Sequence, residues 1–184
     1  MANQANGLLS PYLRKKRIEA VKPYLNGKVL DYGCGVGKLT EFINIDNYIG
    51  VDIDKESIEE AKKNYPNYIF FELNKFDDLK DDLKFDTIVS MAVIEHVKNP
   101  EQFLINLSNY LKEDGCIVLT TPHPKADWIH DFGSKIGLFS SHANEEHEEL
   151  LDKVQIDKIV KNIDMKILKY ERFLFGVNQL IIVN

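Results

Sequence analysis

The stretch Val29-Leu30-Asp31-Tyr32-Gly33-Cys34-Gly35-Val36-Gly37-Lys38-Leu39-Thr40 decides the fold. Two apolar residues and an acid form the end of a short buried strand, and a turn with glycine at every second position leads into a helix. Glycine reaches φ > 0 without strain, and a turn free of Cβ atoms brings its backbone N–H groups within contact of a ligand at a helix start. A cofactor therefore docks at this turn. Dinucleotide sites ordinarily read G-x-G-x-x-G, whereas Gly33, Gly35 and Gly37 alternate strictly and Asp31 precedes them on the strand.

A nucleoside cofactor in such a fold needs a carboxylate at the end of the next strand to accept the ribose hydroxyls. The run Tyr48-Ile49-Gly50-Val51-Asp52 supplies one, followed by Ile53 and by a helix over 55–64. Asp54 is explained as the N-cap of that helix, so Asp52 is left for the ribose. Further on, Phe85-Asp86-Thr87-Ile88-Val89-Ser90-Met91-Ala92-Val93-Ile94-Glu95-His96-Val97 reads as a fourth strand and its exit loop, and Asn99-Pro100 opens another helix.

These three segments, in this order, resemble the motifs of the class I S-adenosylmethionine-dependent methyltransferases, and Ile94-Glu95-His96-Val97 is similar to the quinone O-methyltransferases. The resemblance covers about residues 28 to 122 and implies a cofactor site of Asp31, Tyr32, Gly33, Cys34, Gly35, Asp52, Ile53, Asn74, Met91 and Ala92. Many relatives carry an aspartate beside the adenine amine after the third strand, where Glu72-Leu73-Asn74 stands here, and Asn74 is able to take that role. The Asn/Asp-Pro-Pro-aromatic motif of base and glutamine N-methyltransferases is absent at Ser90-Met91-Ala92-Val93, which argues against methylation of DNA bases. The implied activity is methyl transfer from S-adenosylmethionine, leaving S-adenosylhomocysteine, to a small molecule, at oxygen. Two alternatives stay open: a module that binds S-adenosylmethionine without transfer, and a nicotinamide-dependent oxidoreductase, which the glycine spacing disfavours.

At 184 residues the chain has the length of one domain, read as 1–184 with a helical cap over 1–27 and a substrate-covering insertion over 122–150. Apolar strands over 28–32, 48–52, 67–72, 84–90 and 115–121 alternate with helices over 38–45, 55–64 and 100–112. A turn is read at Leu111–Gly115. A helix over 152–162 and apolar runs over 165–170 and 173–183 follow, the two runs separated only by Glu171-Arg172 and therefore antiparallel. The expected fold is α/β, a doubly wound seven-stranded sheet, mostly parallel with an antiparallel last strand.

Two cysteines make no disulfide framework. Cys34 reads as a small residue in a tight turn. The N-terminus lacks a signal-peptide pattern and no apolar run is long enough to span a membrane, which points to a cytoplasmic protein without integral membrane association. A net charge of −6 opposes broad attraction to nucleic acid. The basic run Arg14-Lys15-Lys16-Arg17 is read as the solvated face of a packed helix.

Methyl transfer to a hydroxyl requires a group that takes its proton. All five histidines lie between the fourth strand and the last helix, and ligands of doubly wound sheets sit at the carboxyl ends of the strands. His96 and His123 are accordingly the base candidates, with Glu95, Trp128 and His130 as acceptor contacts. The dense set His142, Glu145, Glu146, His147, Glu148 and Glu149 has no recognisable metal spacing and is read as an acidic helix start, so no metal is expected.

Overall fold

The computed structural model describes residues 10–77, 83–124 and 150–184. Strands β1 (Val29–Tyr32), β2 (Tyr48–Asp52), β3 (Ile69–Glu72), β4 (Phe85–Met91), β5 (Leu111–Pro122), β6 (Ile167–Phe173) and β7 (Asn178–Val183) form one sheet. Their order is β3-β2-β1-β4-β5-β7-β6, and only β7 runs antiparallel to its neighbours. This is the expected architecture.

Helices cover both faces because strand side chains alternate. Leu30, Ile49, Val51, Ile88, Ile117 and Ile181 point one way, onto α4 (Pro100–Ser108) and α5 (Lys153–Asn162), which bury Leu104, Leu107, Ile156 and Val160 among them. Val29, Tyr48, Phe70, Val89, Val118 and Ile182 point the other way. They meet Ile18 and Val21 of α1 (Ser10–Val21) and Ile58 and Ala61 of α2 (Lys55–Asn64). A further short helix, α3 (Leu73–Asp77), places Phe76 in the first layer.

The helix starts are set by side chains. Asp54 accepts from Ser57 N–H, Asn99 accepts from Gln102 N–H with Pro100 behind it, and Asp152 and Gln155 form a reciprocal capping box. Asp152→Ala is expected to destabilise the fold by about 1 kcal/mol, read as a lower urea midpoint with unchanged slope.

Four local expectations are corrected. The helix over 38–45 is a 3₁₀ turn at Lys38–Phe42 and another at Ile45–Asn47. Ile43 and Asn44 are extended between them, and the Asn44 side chain captures the Asp46 N–H in place of a helical carbonyl. The helix from Pro100 stops at Ser108, and Leu111 already pairs with Phe85. The segment up to Cys116 is a bulge between the pairs Phe85↔Leu111 and Thr87↔Cys116, not a turn before the strand. The last hairpin turns at residues 174–177, with Leu174, Phe175 and Gly176 left-handed, and Glu171-Arg172 lie within β6. Since β6 is the sheet edge, those charges face solvent without interrupting it.

Candidate functional site

The crevice sits where the strand order reverses, between β1 and β4, at the carboxyl ends of the parallel strands. Gly33, Gly35 and Gly37 are all left-handed, with φ of +86°, +51° and +77°. The N–H groups of Gly33 and Cys34 both donate to the Val51 carbonyl, at 2.8 and 3.0 Å, which bends the turn over the end of β2. A Cβ on Gly33 would lie 2.4 Å from Val93 Cγ2, and one on Gly37 would lie 2.8 Å from Phe70 Cζ. At Gly35 the same position meets nothing within 4 Å. The middle glycine thus faces open space while its two neighbours are held by packing.

Asp31 is 1 % exposed. Its Oδ2 accepts from the Tyr48 hydroxyl at 2.8 Å, and its Oδ1 is buried with no partner among the described residues. Burial, opposed by the Tyr48 hydrogen bond and assisted by the charge of Asp52, raises its pKa to about 7. Asp52 is half-buried; its Oδ2 accepts from Gly35 N–H at 2.7 Å and its Oδ1 from Asp54 N–H at 2.9 Å. Each oxygen retains a lone pair for a further donor. The next residue, Ile53, is 77 % exposed at the end of the same strand.

Tyr32 is half-buried, with its ring edge-on to Phe103 at 5.6 Å. Cys34 is buried and its thiol is pushed well above the usual range by desolvation, which fits the reading of a small residue in a turn. Asn74 lies exposed in the first turn of α3, its Oδ1 accepting from Lys75 N–H. Ala92 is left-handed at φ +58°, and its N–H donates to the Thr120 carbonyl at 2.8 Å. Its amide is therefore committed to β5.

Past β4, a 3₁₀ turn at Ile94–His96 buries Glu95 and leaves His96 half-buried. The Glu95 carboxylate accepts from the Thr121 hydroxyl at 3.0 Å. Burial pushes its carboxyl above the usual range, against the attraction of the Arg17 charge. His123, at the end of the adjacent β5, is buried, and its N–H donates to the Val177 carbonyl. The sheet thus brings Glu95, His96 and His123 to one edge. Trp128, His130 and the 142–149 cluster lie outside the described residues.

Sequence reasoning missed four contributors to the site. Arg17 does not belong to a solvated face: it is half-buried, and its Nε donates to Asn178 Oδ1 at 3.1 Å, tying α1 to the start of β7. Gln179 donates to the Pro122 and Leu151 carbonyls and accepts from the Tyr170 hydroxyl. Thr121 holds Glu95, and Tyr48 holds Asp31. The legible signal was a run of polar residues, Thr120-Thr121 and Asn178-Gln179, inside otherwise apolar strands that meet in register.

Residues 7–170 match the family model described as a methyltransferase domain. The chain is 34% identical over 110 residues to a mitochondrial ubiquinone biosynthesis O-methyltransferase of Dictyostelium discoideum, covering 50% of this chain and 34% of that protein. It is 36% identical over 105 residues to the ubiquinone biosynthesis O-methyltransferase of Pelagibacter ubique, covering 54% and 44%. It thus spans between a third and half of the length of these curated relatives. Among solved structures, the plantazolicin methyltransferase BpumL in complex with SAH superposes with a TM-score of 0.75 at 17% identity, covering 95% of this chain and 84% of that one. Magnesium protoporphyrin IX methyltransferase from Synechocystis PCC 6803 superposes at 0.68 and 20% identity, covering 100% and 89%. With a family match over most of its length and the corresponding sheet beneath the glycine turn, the chain belongs to the class I S-adenosylmethionine-dependent methyltransferase family.

Proposed function

We propose that this domain transfers a methyl group from S-adenosylmethionine to a small-molecule acceptor, at oxygen. The observation that carries this reading is a pair of carboxylates at the ends of adjacent strands on either side of an open glycine turn. One is buried with an unpartnered oxygen, and the other keeps lone pairs at the rim. That donor set fits the cofactor: Asp31 Oδ1 receives its ammonium, Asp52 its ribose hydroxyls, Ile53 covers its base, and the open flank of Gly35 admits its amino-acid portion. Asn74 takes the adenine amine by rotating away from Lys75. When bound, S-adenosylmethionine supplies a methyl on a positively charged sulfur, so the reaction needs chiefly alignment.

Alignment of this kind is worth roughly 7–11 kcal/mol, and the protein supplies it by fixing both ends of the crevice. Arg17 and Asn178 pin α1 to the start of β7, beside the acceptor edge. A hydroxyl acceptor must lose its proton as it attacks. His96 takes that proton on an imidazole nitrogen, with the buried Glu95 carboxylate next to it in the chain to stabilise the imidazolium, while His123 contacts the acceptor. The two O-methyltransferase relatives favour oxygen over nitrogen as the methylated atom.

The test is incubation with methyl-labelled S-adenosylmethionine and a panel of phenols, enols, carboxylic acids and amines. Label is expected in a hydroxyl product. Label confined to amines overturns the oxygen reading, and no label with any acceptor, from protein that binds the cofactor, overturns transfer in favour of a binding module. Asp52→Ala is expected to weaken S-adenosylhomocysteine binding by about 1.5–3 kcal/mol, the scale of hydrogen bonds to a charged group. Calorimetry on the folded variant checks it, and unchanged affinity removes the ribose assignment.

A further inference from the structure

The way Asp31 is held exceeds what a packing role requires. Asp31 pairs in register with Gly50 of β2, and Tyr48 lies two residues before Gly50, so all three share one face of the sheet. The Tyr48 ring crosses over Gly50 to reach its neighbour: a Cβ on Gly50 would lie 2.7 Å from the Tyr48 hydroxyl, 2.7 Å from Phe70 Cδ1 and 3.0 Å from Cys34 Sγ. The rings of Tyr68 and Phe70 clamp Tyr48 edge-on at 5.6 and 5.7 Å. The bare backbone at Gly50 thus makes the room in which the phenol sits, and the phenol spends its only proton on Asp31 Oδ2, leaving Oδ1 unpartnered.

We propose that Tyr48 is a positioning residue of the cofactor site, its hydroxyl orienting the Asp31 carboxyl so that Oδ1 receives the ammonium of the bound ligand. This rests on the cofactor assignment above and adds to it the residue that controls when Asp31 is competent. The groups facing Asp31 are Tyr48 and Asp52 from β2 and the Cys34 thiol from the turn; Asp52 and burial favour the neutral acid, and Tyr48 alone opposes them. With its pKa raised to about 7, Asp31 is only partly ionised at neutral pH. A cation needs the ionised form, so affinity falls as pH drops through that value. Removing the phenol proton withdraws a hydrogen bond to a charged group and moves the midpoint up by about one pH unit.

The test is calorimetric titration of S-adenosylhomocysteine into wild type and Tyr48→Phe between pH 6 and 9, with affinities expressed as a ratio so that the ligand's own ionisation cancels. Phenylalanine keeps the ring and its packing, and melting curves check that the variant is folded. The variant is expected to bind about fivefold more weakly at pH 7 and within about 1.2-fold of wild type at pH 9. In the free protein, the Asp31 carboxyl ¹³C shift should titrate near pH 7 and move up by about one unit in Tyr48→Phe. A ratio that stays flat with pH, or an unmoved Asp31 midpoint, overturns the role of Tyr48 and leaves the cofactor assignment standing. Failure of wild type to bind S-adenosylhomocysteine at any pH overturns the cofactor assignment itself.

Discussion

Gly33→Ala is expected to cost about 2–5 kcal/mol of stability and to abolish cofactor capture in whatever folded protein remains. Two terms add. Holding a residue with a Cβ at φ +86° costs about 1–2 kcal/mol, and the methyl would sit 2.4 Å from Val93 Cγ2, an overpacking worth about 1–3 kcal/mol. The turn cannot yield toward β2, because the Gly33 and Cys34 N–H groups are both fixed on the Val51 carbonyl. It cannot yield toward β4 either, because Val93 is carried by the segment that Ala92 anchors to Thr120. Guanidinium denaturation measures the first effect and S-adenosylhomocysteine titration the second. The double variant Gly33→Ala/Val93→Ala should regain the clash share while the backbone strain remains. A single variant with wild-type stability and affinity would show that the turn is not held as described.

The second large effect is on turnover. His96→Gln is expected to lower kcat by about 10² to 10⁴-fold with a hydroxyl acceptor, the usual contribution of a general base, while S-adenosylhomocysteine affinity stays within twofold. Glutamine keeps a hydrogen-bonding side chain of similar length, so acceptor binding should suffer less than kcat. His123→Gln should act chiefly on KM, since His123 is buried at the end of β5 with its backbone tied to Val177 and is assigned acceptor contact. A His96 variant within threefold of wild-type kcat would remove the base assignment. An acceptor that is already ionised in solution should lose most of the difference between the two enzymes, since it brings no proton to take.

The parts of the fold legible in the sequence were those fixed by local rules. Tyr48–Asp52 and Lys55–Asn64 are observed with the expected bounds because an apolar run ending in an acid, followed by an aspartate cap, admits little else. The antiparallel end of the sheet followed from connection length. What sequence reasoning misplaced depended on competition between local and distant partners. Leu111 has the character of a turn neighbour until Phe85 is placed opposite it, and Asn44 ends a helical pattern by a side-chain bond that periodicity does not register. Leu174 and Phe175 form a left-handed turn that their residue types do not announce, since the Arg172 guanidinium closes it from across the loop by bonding the Gly176 carbonyl.

The site divides in the same way. Asp31, Gly33, Gly35 and Asp52 were readable because strand, turn and strand end are contiguous motifs. Tyr48 and Arg17 were not, because each gains its meaning from a residue far away in the chain: Tyr48 from Asp31 on the neighbouring strand, and Arg17 from Asn178, 161 positions on. Nothing in their own surroundings separates Tyr48 from an ordinary core aromatic or Arg17 from its basic neighbours.

The central claim is that the glycine turn between Asp31 and Asp52 is an S-adenosylmethionine site. Calorimetric titration of S-adenosylhomocysteine and S-adenosylmethionine into the folded protein at pH 8, with NADH as control, tests it most directly. The account predicts one site of micromolar affinity for both sulfur nucleosides and none for NADH. No heat with either sulfur nucleoside, or saturable binding of NADH in their place, would contradict it.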